Sequence, residues 1–216
     1  MVSKPKKTTA EDKLRDAERS RKTILVAAKQ EFSEAGFDGA RIDRIAERAE
    51  LNKRLIYYYF ADKEALFQAV LEEAYADIRQ AEQSLALASM QPAQAIAKLV
   101  EFTWNYYLQN PEFLSILNSA NLHKGRHLEE EGRVQRLNSP LMQLLREVLH
   151  KGQQQGDFRA DADPVQLYIT IAGMSYFYLS NNYTLSAVFG TDLATQTAYA
   201  ERLAHMCDVV LGYLKA

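Results

Sequence analysis

The sequence predicts an all-α fold. Apolar residues recur at three- and four-residue spacing along most of the chain, and no segment alternates with a period of two. The 9 glycines and 5 prolines are few, and most fall between the periodic segments. At 216 residues the chain can bury a large core, as one large domain or two small ones. Its 47% apolar and 25% charged residues are the proportions of an ordinary folded protein.

Taken in order, residues 1–10, "MVSKPKKTTA", carry three lysines and no acid and read as a tail. From about Asp12 a helix begins, with Ile24, Ala27, Ala28, Phe32 and Ala35 on one face. "AGFDG" stops it, Gly36 suiting the left-handed position after a helix end. Ile42, Ile45, Ala46 and Ala49 mark a short second helix. Asn52 is placed to cap a third, over about Lys53 to Tyr59, and Asp62 to cap a fourth whose stripe is Leu66, Val70, Leu71, Tyr75 and Ile78.

After "LALASMQ" the chain restarts at Pro92, suited to a first helical turn, with Ile96, Leu99, Val100, Thr103, Trp104 and Tyr107 on one face. A helix over about Pro111 to His123 follows, then the charged stretch "HKGRHLEEEGRVQR" and a helical "SPLMQLLREVLHKGQQQG". "GDFRADADP" is a turn with its own helix start at Asp163–Pro164, and two long helices close the chain, about 164–181 and 192–214, joined by "NNYTLSAVFG". The expected organisation is a basic arm (1–21), a three-helix head (22–66) and a larger helical body (67–216).

The net charge of -2 conceals an asymmetry. Residues 1–64 hold 15 Lys+Arg against 12 Asp+Glu, and the remainder holds 11 against 16. A basic front and an acidic back direct an anionic partner to the front. The single cysteine, Cys207, leaves no intrachain disulfide and fits a reducing compartment. The stretch "LYITIAGMSYFYL" is shorter than the ~20 apolar residues of a bilayer span, and the lysine-rich start has no apolar signal segment. The expected location is cytoplasmic.

A short helix, the turn "AELN" and another short helix form the layout of a helix-turn-helix, whose second helix lies in the major groove of DNA. That second helix, within "NKRLIYYYFADKE", places Lys53 and Arg54 in its first turn, with Tyr57 one turn on. Tyrosine hydroxyls donate to phosphates while the rings cover sugar, and Ile56, Phe60 and Tyr59 face the core. The N-terminus of the next helix, at Lys63, suits a phosphate. A tyrosine-rich packing helix with solvated cations is the other reading. Residues 1–22, with eight cations against four acids, are either a DNA-tracking arm or a solubilising end.

Across 22–66 the segments "EAGFDG", "IAERA" and "YYYFADKEAL" resemble the N-terminal domain of the TetR family of bacterial transcriptional regulators. The resemblance implies a homodimer, paired through its last two helices, whose two heads enter successive major grooves of a palindromic operator. It also implies a small-molecule pocket in the body. It puts Lys53, Arg54, Tyr57 and Tyr58 on DNA and Arg41 and Lys63 on its backbone. Where the family turn carries glycine this chain has Glu50, and where it carries a hydroxyl this chain has Leu55. A non-glycine residue in a left-handed turn costs about 1–2 kcal/mol.

For the pocket the body offers Trp104, Tyr107, Asn118, Asn121, His123, Tyr176 and Asn181, suited to a small aromatic or heteroaromatic acid. The same aromatic spacing also describes plain core packing. Cys207 reads as a small apolar residue of the dimer interface, and Gly173 as a point of close helix approach. His123 and His127, with Glu130 and Glu131 nearby, have a spacing that can hold a divalent metal, but Gly125 interrupts them and a solvated charged loop explains the stretch better. No nucleophile–base pair or glycine-rich phosphate loop points to an enzyme, and no cofactor is expected. The expected function is a ligand-responsive repressor. Its rivals are a helical enzyme or metal-dependent hydrolase using the His and Glu cluster, and a ligand-insensitive DNA-binding or scaffolding dimer.

Overall fold

The computed structural model describes residues 10–128 and 133–216, with side chains from Leu14 onward apart from those of His127 and Arg133. The chain is all-α, as the periodicity predicts. Its helices are α1 (Ala10–Gly39), α2 (Ile42–Arg48), α3 (Lys53–Phe60), α4 (Lys63–Gln83), α5 (Pro92–Gln109), α6 (Pro111–Leu122), α7 (Arg133–Gln155), α8 (Pro164–Phe189) and α9 (Gln196–Leu214). Two 3-10 turns, Leu87–Ser89 and Arg126–Leu128, interrupt the connections. Among the described residues the one extended pairing is a single antiparallel bridge between Phe158 and Lys215.

Each expected cap forms. Asn52 Oδ1 accepts from the Arg54 N–H at 2.9 Å, Asp62 Oδ1 from Ala65 at 2.8 Å, and Asp163 Oδ1 from Gln166 at 2.8 Å. Gly36 takes φ 66°, breaking α1 as expected, but its ψ of 177° lies outside the left-handed helical well. A further turn, Phe37–Gly39, is thereby redirected before α2. Glu50 occupies φ 52°, so a non-glycine residue does bear the left-handed turn between α2 and α3.

Three boundaries depart from the reading of the sequence. Helix α7 begins at Arg133 and runs through Pro140, because the apolar row Leu137, Leu141, Leu145 and Val148 continues across the proline. Helix α8 extends through "NNYTLSAVF" to Phe189 and ends at Gly190, φ 64°. The polar residues of that stretch do not break the helix, since their side chains bond carbonyls one turn back: Asn181 to Phe177, Thr184 to Asn181 and Ser186 to Asn182. Helix α9 accordingly starts late, at Gln196, capped by the Thr195 hydroxyl.

The chain divides into two compact units. One takes the chain up to Glu72 together with the segment from Ser115 through the Arg126–Leu128 turn; the other takes Glu73–Leu114 with α7, α8 and α9. The first packs Ile24, Phe32, Ile45, Ile56, Phe60 and Phe67 with Ile116 and Ala120 of α6. The second packs Leu99, Trp104, Leu145, Ile171, Met206 and Val210. Helices α4 and α6 are each continuous, and each supplies residues to both units.

Candidate nucleic-acid interface and effector site

Helix α3 is divided lengthwise. Ile56 and Phe60, four residues apart, are buried at 1% and 5% exposure, while Tyr57 and Tyr58 are exposed at 44% and 80%. Lys53 and Arg54 are exposed in the first turn, and Tyr59 packs partly against the core. Arg41, also exposed, stands at the N-cap of α2. A helix of 8 residues with this outer face is about 12 Å long, a match for the major groove.

The cations differ in how far they are engaged. Lys53 Nζ lies 2.7 Å from Asp43 Oδ1, and that bond raises the lysine above its ordinary pKa. Lys63 donates to the carbonyls of Ala40 at 3.2 Å and Asp38 at 3.4 Å and sits 4.7 Å over the Phe37 ring. It braces the turn after Gly36, with one ammonium hydrogen left over. Arg41 and Arg54 have no ion pair among the described residues.

Behind this face is a residue that sequence reasoning missed. Glu31, 1% exposed, accepts the Arg41 N–H at 3.1 Å, and pairs with Arg44 Nε at 2.9 Å and Arg48 Nε at 3.3 Å. One buried carboxylate therefore fixes the start of α2 and gathers two of its arginines. The available signal was an acid three and four residues beyond Ala28 and Ala27, on the buried stripe of α1. Arg48 also joins Arg19 and Lys22 along an open groove of about 370 Å³ floored by Val26 and Ala27.

The predicted pocket residues are not gathered at one place. Asn118, Asn121 and His123 belong to the first unit, whereas Trp104, Tyr107, Tyr176 and Asn181 belong to the second. His123 is a packing residue of the head: its ring meets Phe37 edge-on at 5.2 Å, and Nε2 lies 3.3 Å from Asp38. Trp104 is 2% exposed between the rings of Tyr178 (5.6 Å) and Tyr199 (5.9 Å). Asn121 and Asn181 bond carbonyls of their own helices, Asn118 is half-buried on α6 and Tyr176 half-buried on α8. Lys124 and Gly125, both at positive φ, part His123 from His127, so the two do not share a continuous helix. The side chain of His127, and Glu130 and Glu131, lie outside the described residues. Among the described residues no group of three His, Cys, Asp or Glu is placed to hold a metal.

Tyr107 is the exception, because it stands in a polar cluster. Its hydroxyl, with those of Tyr75, Tyr106 and Tyr168, lies within the field of Arg79, and Tyr75, Tyr106 and Tyr107 all pack on Phe113 at 5.6–5.9 Å. Burial pushes Tyr75 and Tyr106 up to about 12, and Tyr107 and Tyr168 upward as well. Arg79 and its neighbour Glu82 are each 4% exposed. They too were missed, although both continue the buried stripe Leu71, Tyr75, Ile78 of α4. Cys207 is partly buried, and that burial raises its thiol, which suits a packing role.

Residues 24–70 match the family described as bacterial regulatory proteins, tetR family, and residues 92–210 match the tetracyclin repressor-like C-terminal domain. The HTH-type transcriptional repressor NicS of Pseudomonas putida is 43% identical over 199 residues, 92% of this chain and 94% of the relative. The repressor SCO4008 of Streptomyces coelicolor is 38% identical over 48% of this chain and 50% of its own length. In fold, the crystal structure of the transcriptional regulator SCO4942 from Streptomyces coelicolor superposes with a TM-score of 0.67, covering 90% of this chain and 98% of that one at 24% identity. No helix among the described residues is long and apolar enough to cross a membrane. With a head divided into an apolar inner face and a cationic, tyrosine-bearing outer one, and with both halves matched, the chain belongs to the TetR family of DNA-binding transcriptional regulators.

Proposed function

We propose that the protein is a homodimeric repressor that binds a palindromic operator and is released by a small effector. The observation that carries this reading is the outer face of α3, where Lys53, Arg54, Tyr57 and Tyr58 share one exposed surface over the buried Ile56 and Phe60. Lys53 and Arg54 read base edges, Tyr57 and Tyr58 reach phosphate and sugar, Arg41 contacts the backbone, and Lys63 offers its remaining hydrogen to a phosphate.

The dimer forms through α8 and α9. Val165, Ile169 and Phe177 stand exposed at four- and eight-residue spacing on α8, with Gly173 between them facing open space, and Val209 and Tyr213 are exposed on α9. An apolar row of this kind on a helix that also buries its opposite side is a surface made for a second copy. The effector binds in the body beside Tyr107, and its signal passes along α4 and α6, the helices that supply residues to both units.

Selection of random duplexes by the purified protein at two salt concentrations tests the reading. Enrichment of a palindrome, lost in Lys53→Ala and Tyr57→Ala, is the expected result. Weak, unselective binding that both variants retain would remove α3 from the role of reader.

A further inference from the structure

The second unit buries an arginine whose hydrogen-bonding capacity is mostly unspent. Arg79 Nη2 donates to the Tyr168 hydroxyl at 3.0 Å, and the guanidinium lies 5.4 Å from the centre of the Tyr168 ring. Nη1 lies 2.7 Å from Glu82 Oε2, yet the contact is off the hydrogen-bonding direction. Arg79 Nε and Nη1 and both Glu82 oxygens therefore have no aligned partner among the described residues. Burying such groups without partners is strongly unfavourable, so the site is built to receive one. Both side chains face a cavity of about 50 Å³, whose other walls are Gln83, Leu137, Pro140, Leu141 and Leu144.

We propose that Arg79 is the receptor for a carboxylate on the effector, a small monocarboxylate with an apolar body, and that Glu82 yields its place beside Nη1 as the anion enters. The inference rests on the effector-released reading above. Nη2 spends one of its two hydrogens on Tyr168 and keeps the other, which forms a fork with the unspent N–H beside it on Nη1 or Nε, the geometry that binds a carboxylate through two parallel bonds. The cavity holds a carboxylate group but not a ring or chain, so the Leu137–Leu144 wall must give way to the ligand's body. Pro140, which removes one backbone N–H bond from α7, lies in that wall.

Charge balance sets the proton traffic. When the ligand carboxylate pairs with Arg79, the Glu82 carboxylate takes up one proton from solvent, so the buried site keeps one negative charge against one positive. Glu82 is ready for this, because burial has pushed its carboxyl up to about 7 in spite of Arg79. The charged group acting on it is Arg79 on its own helix; its own charge in turn raises Tyr106 and Tyr107 on α5 and Tyr168 on α8, while α7 lines the cavity only with apolar side chains.

Calorimetric titration of the full chain at pH 7.5 with benzoate, phenylacetate and hexanoate, each beside its uncharged amide, tests the assignment. At least one carboxylate should bind where its amide does not, with proton uptake visible as a difference in heat between phosphate and Tris buffers. The double variant Arg79→Met/Glu82→Gln, which removes the ion pair without stranding a charge, should lose about 10–100-fold in affinity, the worth of a charged hydrogen-bond pair. Arg79→Lys, which keeps charge but not the fork, should lose a similar factor and serves if the double variant does not fold. Silence from all three acids, equal binding of the amides, or undiminished binding by the folded variants would overturn the proposal. Binding of a selected operator by wild type and variants, measured alongside, separates this failure from failure of the repressor reading, since the site proposed here is not needed for DNA binding.

Discussion

The backbone N–H of Phe37 donates to the Ser119 hydroxyl at 2.8 Å, a buried bond between residues 82 apart in sequence. It joins the turn after Gly36 to α6, and His123 and Arg126 close over the Phe37 ring from the same segment. The three-helix head is therefore completed by residues from the middle of the chain. Replacing Ser119 by Ala leaves the buried N–H without its acceptor and should cost about 1–3 kcal/mol. Urea unfolding will show it as a lower midpoint at unchanged slope; an unchanged midpoint would mean that water or another group replaces the hydroxyl.

Glu50 carries the left-handed turn of the helix-turn-helix at φ 52°. Glu50→Gly should relieve strain of about 1 kcal/mol, raising the melting temperature by a few degrees. Scanning calorimetry decides the sign. A loss of stability would show that the added chain entropy of glycine outweighs the relief.

The Lys53–Asp43 pair is exposed on both sides, so its contribution to stability is small. Its effect on DNA should be larger, because Asp43 both holds the lysine and places a negative charge beside the groove. Asp43→Asn should bind a selected operator more tightly with little change in melting temperature. Lys53→Ala should weaken binding at every salt concentration and relax the preference for the base pair it faces. Fluorescence anisotropy titrations across salt concentrations measure both.

Glu82 gives a stability that depends on pH in a defined direction. Its folded carboxyl titrates near 7, above its ordinary value, so the folded protein holds a proton that the unfolded chain releases. That contribution is complete below the unfolded pKa and is lost as pH rises through about 7. Glu82→Gln should flatten the fall in unfolding free energy between pH 5.5 and 8 and be the more stable form at pH 8. Denaturant titrations across that range test this, and parallel curves for the two proteins would remove Glu82 as the source.

Phe177 is 57% exposed on the apolar row of α8. Phe177→Asp should convert a dimer to monomers in sedimentation velocity, leave the helical circular dichroism unchanged and reduce operator affinity. A variant that remains dimeric would move the interface away from this row.

The order of the helices, the caps at Asn52, Asp62 and Asp163 and the outward face of α3 were legible in the sequence. Each depends on interactions within about one turn: a side chain bonding an N–H two or three residues on, or a stripe of apolar residues repeating along one helix. The strained turn at Glu50 was legible only through the resemblance, because the family's turn carries glycine where this chain has Glu50. The ends of α7 and α8 were not. Pro140 and the asparagines of α8 signal breaks locally, and the burial of Leu141 beside a half-buried Leu137, and bonds from side chain to carbonyl, overrode them.

The proposed effector site depended on tertiary structure most of all. Aromatic and amide residues at helical spacing pointed to Trp104, Asn121 and His123, but spacing along one helix does not determine which helices converge. The fold sends His123 to the head and brings Tyr107 beside Arg79, a residue 28 positions away on another helix. Sequence alone determined that a cationic, tyrosine-bearing helix faces outward, because periodicity fixes sidedness. Only the packing of α4, α5 and α8 decided that Arg79 and Glu82 are buried together, because desolvation and pairing exist only once distant segments meet.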